Sequence, residues 1–356
     1  MRSKVVGLFA CLAGANLLAW VWALLAFRGH PLLLGTAFLA YALGLRHAVD
    51  ADHLAAIDNV TRKLMQQGRR PLAIGLFFSL GHSTVVIAAS AALALSSNAI
   101  EARFAPLRPI GGLIGTGVSA LFLLGIAAAN TLVLVQLWRV SRRLRRGGGL
   151  IEEDLDALQA KGGFLNRLCR PVFRLIGRSW HMYPLGLLFG LGFDTATEIA
   201  LLGLSATEAS KGLPIWSIMV FPALFAAGMS LADTLDGVLM LGAYGWAFAN
   251  PLRKIQYNLT VTFASVLVAV VIGSIEMLGL AADELYLTGP FWSAVRRLND
   301  NFATLGCLVI ALFAASWLAS LAIDRAKRQR GFRIPSSALP LSRADRAPSR
   351  PDRHAR

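Results

Sequence analysis

Residues 33–57 read LLGTAFLAYALGLRHAVDADHLAAI, and two properties of this stretch decide the fold. It is apolar for long enough to cross the hydrocarbon core of a bilayer, which takes about 20 helical residues. It also carries Arg46, His47, Asp50, Asp52 and His53. Such side chains cost several kcal/mol at the bilayer centre, so they are rare there and mark ion or substrate pathways. A polar cluster inside a spanning segment is therefore both a topological and a functional signal.

Seven further stretches have the same length and character, near 5–27, 72–96, 110–138, 182–205, 214–247, 256–281 and 302–323. The sixth in chain order, 214–247, contains Pro214 and Pro222, which predict a break or tilt. Ten-residue apolar/polar alternation, the mark of a membrane barrel, is absent. The expected fold is an all-α integral membrane protein of eight transmembrane helices. Its transporter domain covers 1–325, with a loop at 139–181 and a basic, disordered tail at 326–356. The apolar run around Cys11 continues to Phe27, so it reads as a retained helix and not as a cleaved signal.

Composition agrees. Of 356 residues 56% are hydrophobic and 15% charged, with a mean hydropathy of +0.58, against roughly 25% charged in soluble domains. The net charge of +15 would suit a nucleic-acid binder, but the apolar mass would not. Three scattered cysteines exclude a disulfide scaffold. With the N-terminus inside, the inner segments hold 28 Lys/Arg and the outer segments six. By the positive-inside rule both termini are then cytoplasmic, in the inner membrane. The basic charge sets topology and headgroup contact and implies no nucleic-acid partner.

Two pairs of segments look alike. Leu43-Gly44-Leu45 resembles Leu191-Gly192-Phe193, and Phe78 to Ser83 resembles Phe225 to Ser230. Gly44 and Gly81 are 37 residues apart, Gly192 and Gly228 are 36. An offset of three spans predicts an inverted repeat, helices 2–3 against 5–6, with a substrate site at the repeat interface, as in secondary transporters.

The intramembrane ionisable residues are concentrated in those four spans. Besides the second, the third carries His82, Ser83 and Thr84, the fifth Asp194, Thr195 and Glu198, and the sixth Asp233 and Asp236. Asp58 ends the second. In a regular helix His47, Asp50 and His53 occupy one face, and Asp52 falls off it. A single intramembrane histidine often serves only to hydrogen-bond a neighbouring helix. Two on one face with an aspartate between them point to a metal. Imidazole and carboxylate donors without thiolate suit a divalent first-row ion such as nickel, cobalt or zinc. Arg46 beside Asp52 also fits a structural ion pair, and the paired acids of the fifth and sixth spans also fit a proton relay. Glu276 and His181 read as structural, and His30 and His354 as loop residues.

Arg46 to Leu54, running on to Lys63, resembles the signature of the nickel/cobalt transporter family, in which a histidine is followed after four residues by Asp-His. Three more family motifs follow in order, at Phe78 to Val86, Leu191 to Glu198, and Gly228 to Gly237. The resemblance spans about residues 5–325. It implies a high-affinity permease, not an enzyme, that imports Ni2+ and/or Co2+ as a secondary transporter. It implies His47, Asp52 and His53 as signature ligands, with Asp50 inside that motif and His82 in the second. No GxxxxGK[ST] phosphate loop is present, so no ATPase subunit is expected. The expected partners are the divalent ion and the lipid bilayer, with no permanently bound cofactor. Export of the same metals is the alternative, disfavoured because loop 139–181 contains only His181. An intramembrane metalloenzyme is less favoured, since no HExxH occurs.

Overall fold

The computed structural model describes residues 2–95, 107–145, 176–192, 214–247 and 251–329. Among them there is no strand. The helices are α1 (Arg2–Ala26), α2 (Pro31–His47), α3 (Ala51–Gln66), α4 (Ile74–Leu95), α5 (Leu107–Arg145), α6 (Met182–Phe189), α7 (Ile215–Ile218), α8 (Val220–Ala247), α9 (Pro251–Glu284), α10 (Pro290–Asn299) and α11 (Phe302–Gln329). Five candidate spans among the described residues are long and apolar enough to cross a membrane. The count rises to seven if the bent pairs α2–α3 (50°) and α10–α11 (71°) each act as one span. The expected span at 182–205 is described only as far as Gly192, so the count of eight rests partly on residues outside the described set. Outward faces carry Leu17, Leu18, Phe38, Leu239, Phe263, Leu267 and Leu308, all exposed. Large outward apolar surfaces on helices with internally bonded backbones are what lipid requires, and the chain is a multi-pass membrane protein.

The second predicted span is not one helix. It breaks at Ala48–Asp50, where Val49 and Asp50 donate their N–H groups to the carbonyls three residues back, at 3.0 Å each. Asp50 is extended (φ −63°, ψ 145°) and occupies the N-cap of α3. Aspartate is a preferred N-cap because its carboxylate accepts an N–H from the first turn, yet here it makes no such bond. The break also needs room. A Cβ on Gly306 of α11 would collide with the Val49 carbonyl oxygen, so only glycine lets α11 lie against the bend.

α3 then runs through the bundle to Gln66. It thus continues past residue 57, the expected end of the span, and buries Arg62 and Lys63 among its neighbours. Arg62 Nη2 donates to Asn59 Oδ1 (2.9 Å), and Asn130 Nδ2 donates to the same oxygen (2.8 Å). The carboxylate of Asp58 accepts from the Tyr244 hydroxyl and from Ser265 Oγ (2.6 Å).

Two pairs of close backbone contacts relate these segments in a different register from the sequence match. A Cβ on Gly44 (α2) would strike the Phe225 carbonyl of α8, and one on Gly228 would crowd the Tyr41 carbonyl at 2.7 Å. In the matching pair, a Cβ on Gly186 (α6) would strike the Phe78 carbonyl of α4, and one on Gly81 the Tyr183 carbonyl. Tyr41-Ala42-Leu43-Gly44-Leu45 thus corresponds to Tyr183-Pro184-Leu185-Gly186-Leu187. The counterpart of Gly44 is Gly186, six residues earlier than Gly192. Leu-Gly pairs recur by chance in apolar spans, whereas reciprocal backbone contacts do not. Small residues at such crossings allow the van der Waals packing that joins helices in lipid.

Candidate metal centre

Four helices converge on the break. His47 is the last residue of α2, His53 lies in the first turn of α3, His82 comes from α4 and Asp233 from α8. A straight helix would have separated His47 from His53 by six residues, about 9 Å of rise, too far for both to reach one ion. The bend brings their ring centroids to 4.7 Å, with His82 at 4.8 and 4.9 Å from them. The one-face geometry expected from the sequence is thus replaced by a bent one. All three histidines are buried, with exposures of 3%, 0% and 1%.

The three can each offer a ring nitrogen within 4.8 Å of the other two. His47 Nε2 and His82 Nε2 are 3.0 Å apart. Nitrogens bound to one ion at about 2.1 Å lie roughly 3.0–3.4 Å from each other, so that pair is already at ligand spacing. The opposite edges of two rings face carboxylates: His47 Nδ1 is 3.0 Å from Asp50 Oδ2, and His53 Nδ1 is 3.3 Å from Asp233 Oδ1. A carboxylate on Nδ1 fixes the tautomer and makes Nε2 the more basic donor, the usual support for a metal-bound histidine. This is why Asp50 does not cap α3: its carboxylate is turned to His47. The remaining oxygens, Asp50 Oδ1 and Asp233 Oδ2, are buried without a hydrogen-bond partner among the described residues. Buried carboxylate oxygens in that state call for a proton or a cation.

Apolar rings enclose the centre. Phe78 meets His53 edge-on at 4.8 Å and Phe225 lies 5.7 Å from His47; these phenylalanines are the two whose carbonyls make the equivalent glycine contacts. Among the described residues cysteine plays no part, since Cys11 and Cys307 are exposed.

Other predicted residues divide clearly. Asp52 is half-buried and lines a cavity of about 170 Å³ with His47 and His82. Asp236 lies one turn beyond Asp233, with Oδ2 buried and without a hydrogen-bond partner among the described residues. Ser83 is buried beside His82, while Thr84 is exposed and bonds the Leu80 carbonyl (2.8 Å) and the Tyr183 hydroxyl (3.0 Å). Arg46 is exposed. Asp58 sits farther along α3 in its own hydrogen-bonded network. Asp194, Thr195 and Glu198 lie outside the described residues. Glu276, set aside on sequence grounds, lines the same cavity as His47.

A family model for "High-affinity nickel-transport protein" matches residues 33–323. The chain is 58% identical to a high-affinity nickel transport protein of Cupriavidus necator, over 92% of this chain and 93% of that one. It is 42% identical to the high-affinity nickel-transport protein NixA of Helicobacter pylori, over 86% and 92%. It is 40% identical to the cobalt transport protein NhlF of Rhodococcus rhodochrous, over 86% and 88%. No solved structure matches. With a buried histidine centre in a membrane bundle and matches of this extent, the chain belongs to the high-affinity nickel-transport family, a family of transporters and not of enzymes.

Proposed function

We propose that the chain imports Ni2+ and/or Co2+ across the cytoplasmic membrane as a secondary transporter, binding the ion at His47, His53 and His82. The observation that carries this reading is the trio of buried imidazoles, two of them backed by carboxylates, at a helix break inside an apolar bundle. Neutral nitrogen donors with nearby carboxylates favour late first-row divalent ions over magnesium or calcium. Asp52 completes the coordination from the cavity side. Asp50 and Asp233 orient the rings. Asp236, Asp194, Thr195 and Glu198 serve the onward path, and the names of the relatives support both metals as substrates.

Direction follows from charge. Removing the buried Arg62 and Lys63 from the inner count leaves 26 basic residues inside against six outside, so both termini remain cytoplasmic. The connection from α9 to α11 is then extracytoplasmic, and the cavity reaches its Asp283 and Asp300. A divalent ion moving inward gains about 4.6 kcal/mol per 100 mV of potential, enough to concentrate it roughly a thousand-fold without ATP. Eight crossings and an inverted pair of repeats would let the ion site face each side in turn.

The test is uptake of labelled Ni2+ or Co2+ at nanomolar concentration in cells expressing the chain, with the other metal in excess. Accumulation that the competitor suppresses, and that His53→Ala abolishes, is expected. Accumulation of neither metal, or wild-type uptake by His53→Ala, would overturn the reading.

A further inference from the structure

The connection from α9 to α11 contains a helix that no crossing requires. The apolar part of α9, Thr262–Glu284, is 23 residues long, about 35 Å at 1.5 Å per residue. α11 begins at Phe302 and runs for 28 residues, about 42 Å. Each exceeds the roughly 30 Å of a hydrocarbon core, so both neighbours complete their crossings alone. α10 (Pro290–Asn299) therefore lies at the membrane surface where α9 ends and α11 starts, and it meets α11 at a 71° bend. Gly289, at φ +123°, turns the chain into it, and Pro290 begins it.

Around its axis, at about 100° per residue, α10 has three different sides. Val295 is 6% exposed, with Trp292 and Asn299 half-buried beside it, and this side packs on the protein. Arg296 extends it: its Nε donates to Asp283 Oδ1 and its Nη2 to the Ala282 carbonyl, at 2.8 Å each, which ties α10 to the end of α9. On the second side Phe291 and Leu298, two turns apart, are 60% and 42% exposed, with the half-buried Ala294 between them. On the third, Ser293 and Arg297 are exposed. An apolar strip and a polar strip exposed side by side on one helix are the mark of a helix lying in a membrane interface. Leu285 and Tyr286, just before it, are exposed as well, and tyrosine and tryptophan are enriched at that depth.

We propose that α10 is an interfacial anchor, with Phe291, Ala294 and Leu298 among the lipid chains and Ser293 and Arg297 at the headgroups. Lipid is the occupant because the strip lies between two helices whose own outward residues, Leu267 of α9 and Leu308 of α11, already face it. Arginine at the polar edge suits the phosphate of a headgroup. The anchor also sets the level of the cavity rim. Asp283, which Arg296 holds, and Asp300, which follows α10, line the cavity that His47 and His82 also line. With α10 in the interface, those two carboxylates lie at the headgroup layer. This position rests on the membrane architecture and not on the transport reading.

The experiment uses the full-length protein with Cys11, Cys169 and Cys307 replaced by serine, reconstituted in vesicles of phosphatidylcholine and phosphatidylglycerol. Single cysteines are introduced as Phe291→Cys, Ser293→Cys, Arg297→Cys and Leu298→Cys, with Leu308→Cys as the lipid-facing reference, and each is spin-labelled. Power saturation reads the collision of each label with oxygen, which concentrates among the lipid chains, and with chromium oxalate, which stays in water. The ratio of oxygen to chromium oxalate is expected to be several-fold higher at 291 and 298 than at 293 and 297, and to approach the value at 308. Equal ratios at all four positions, high or low, would overturn the proposal, because the helix would then lie wholly in lipid or wholly in water. Immobilised labels at 291 and 298 that collide with neither reagent would mean that a second copy of the chain covers the strip, and would also overturn it.

Discussion

Asp50 offers a sharp test of how the histidine centre works, because its carboxylate stands behind a ring instead of on the ion. Its Oδ2 is 3.0 Å from His47 Nδ1. Adding the width of the ring and a metal–nitrogen bond of about 2.1 Å puts the carboxylate roughly 7 Å from an ion on Nε2. A single negative charge at that distance from a divalent cation is worth at most about 5 kcal/mol at an effective dielectric constant of 20. Supporting carboxylates of this kind contribute 10- to 100-fold in metal affinity. Asp50→Asn keeps an oxygen that can accept the Nδ1 proton and loses the charge, so KM for nickel should rise by about ten-fold. Asp50→Ala loses both and should cost about a hundred-fold, or 2.7 kcal/mol. Initial rates of labelled nickel uptake, normalised to the amount of protein in the membrane, measure both. Metal X-ray absorption on the purified variants adds a second readout, since a supporting residue leaves the ligand count unchanged. An Asp50→Ala protein with KM within two-fold of wild type would refute the reasoning. So would loss of an oxygen scatterer from the Asp50→Asn spectrum, which would make Asp50 a direct ligand.

Acid should inhibit. Imidazole binds metal only when neutral, so uptake at sub-saturating metal should fall as the medium is acidified far enough to protonate the histidines. Proteoliposomes with equal pH on both sides and a clamped potential isolate this from any proton coupling; constant or rising uptake would count against histidine ligands. The reciprocal glycine contacts predict paired effects. Gly44→Ala and Gly186→Ala each force a methyl group against a carbonyl of the facing helix and should each cost about 1–3 kcal/mol, as overpacking does. Thermal unfolding of the purified variants measures this, and a tolerated alanine at either position would show that the helices are not in direct backbone contact there.

The sequence carried the membrane class and the three histidines that the fold brings together, because apolar length and buried ionisable groups are one-dimensional signals. It did not carry the break at Ala48–Asp50. The residues there include no proline or glycine, and the bend depends on Gly306, some 250 positions away. Reading His47, Asp50 and His53 as one face of a straight helix was correct about proximity and wrong about its cause. The glycine contacts pair Gly44 with Gly186, six residues from the expected match, since Leu191-Gly192 is as good by composition as Leu185-Gly186.

α3 shows that the buried acids are not equivalent, although the sequence groups them. At its far end Asp58 has both carboxylate oxygens taken by hydroxyls, from Tyr244 and Ser265. At its near end one oxygen each of Asp50, Asp233 and Asp236 is buried without a hydrogen-bond partner among the described residues. A buried polar group costs little once paired and several kcal/mol when it is not, so the two ends of the helix are balanced differently. Asp58, with Asn59, Arg62 and Asn130 beside it, belongs to a set of hydrogen bonds that ties α3 to α5, α8 and α9. That is an anchor, and a mobile ion would have to displace two hydroxyls to use it. Of the other three, Asp50 and Asp233 lie against His47 and His53 and each keeps one buried oxygen without a hydrogen-bond partner among the described residues. The helix that follows the bend is thus tied at its far end by a carboxylate whose two oxygens are bonded, while the carboxylates beside the imidazoles are each left with an open acceptor. On the proposed reading a divalent cation would supply what those acceptors lack, and the bonded Asp58 carboxylate would not have to move to admit it.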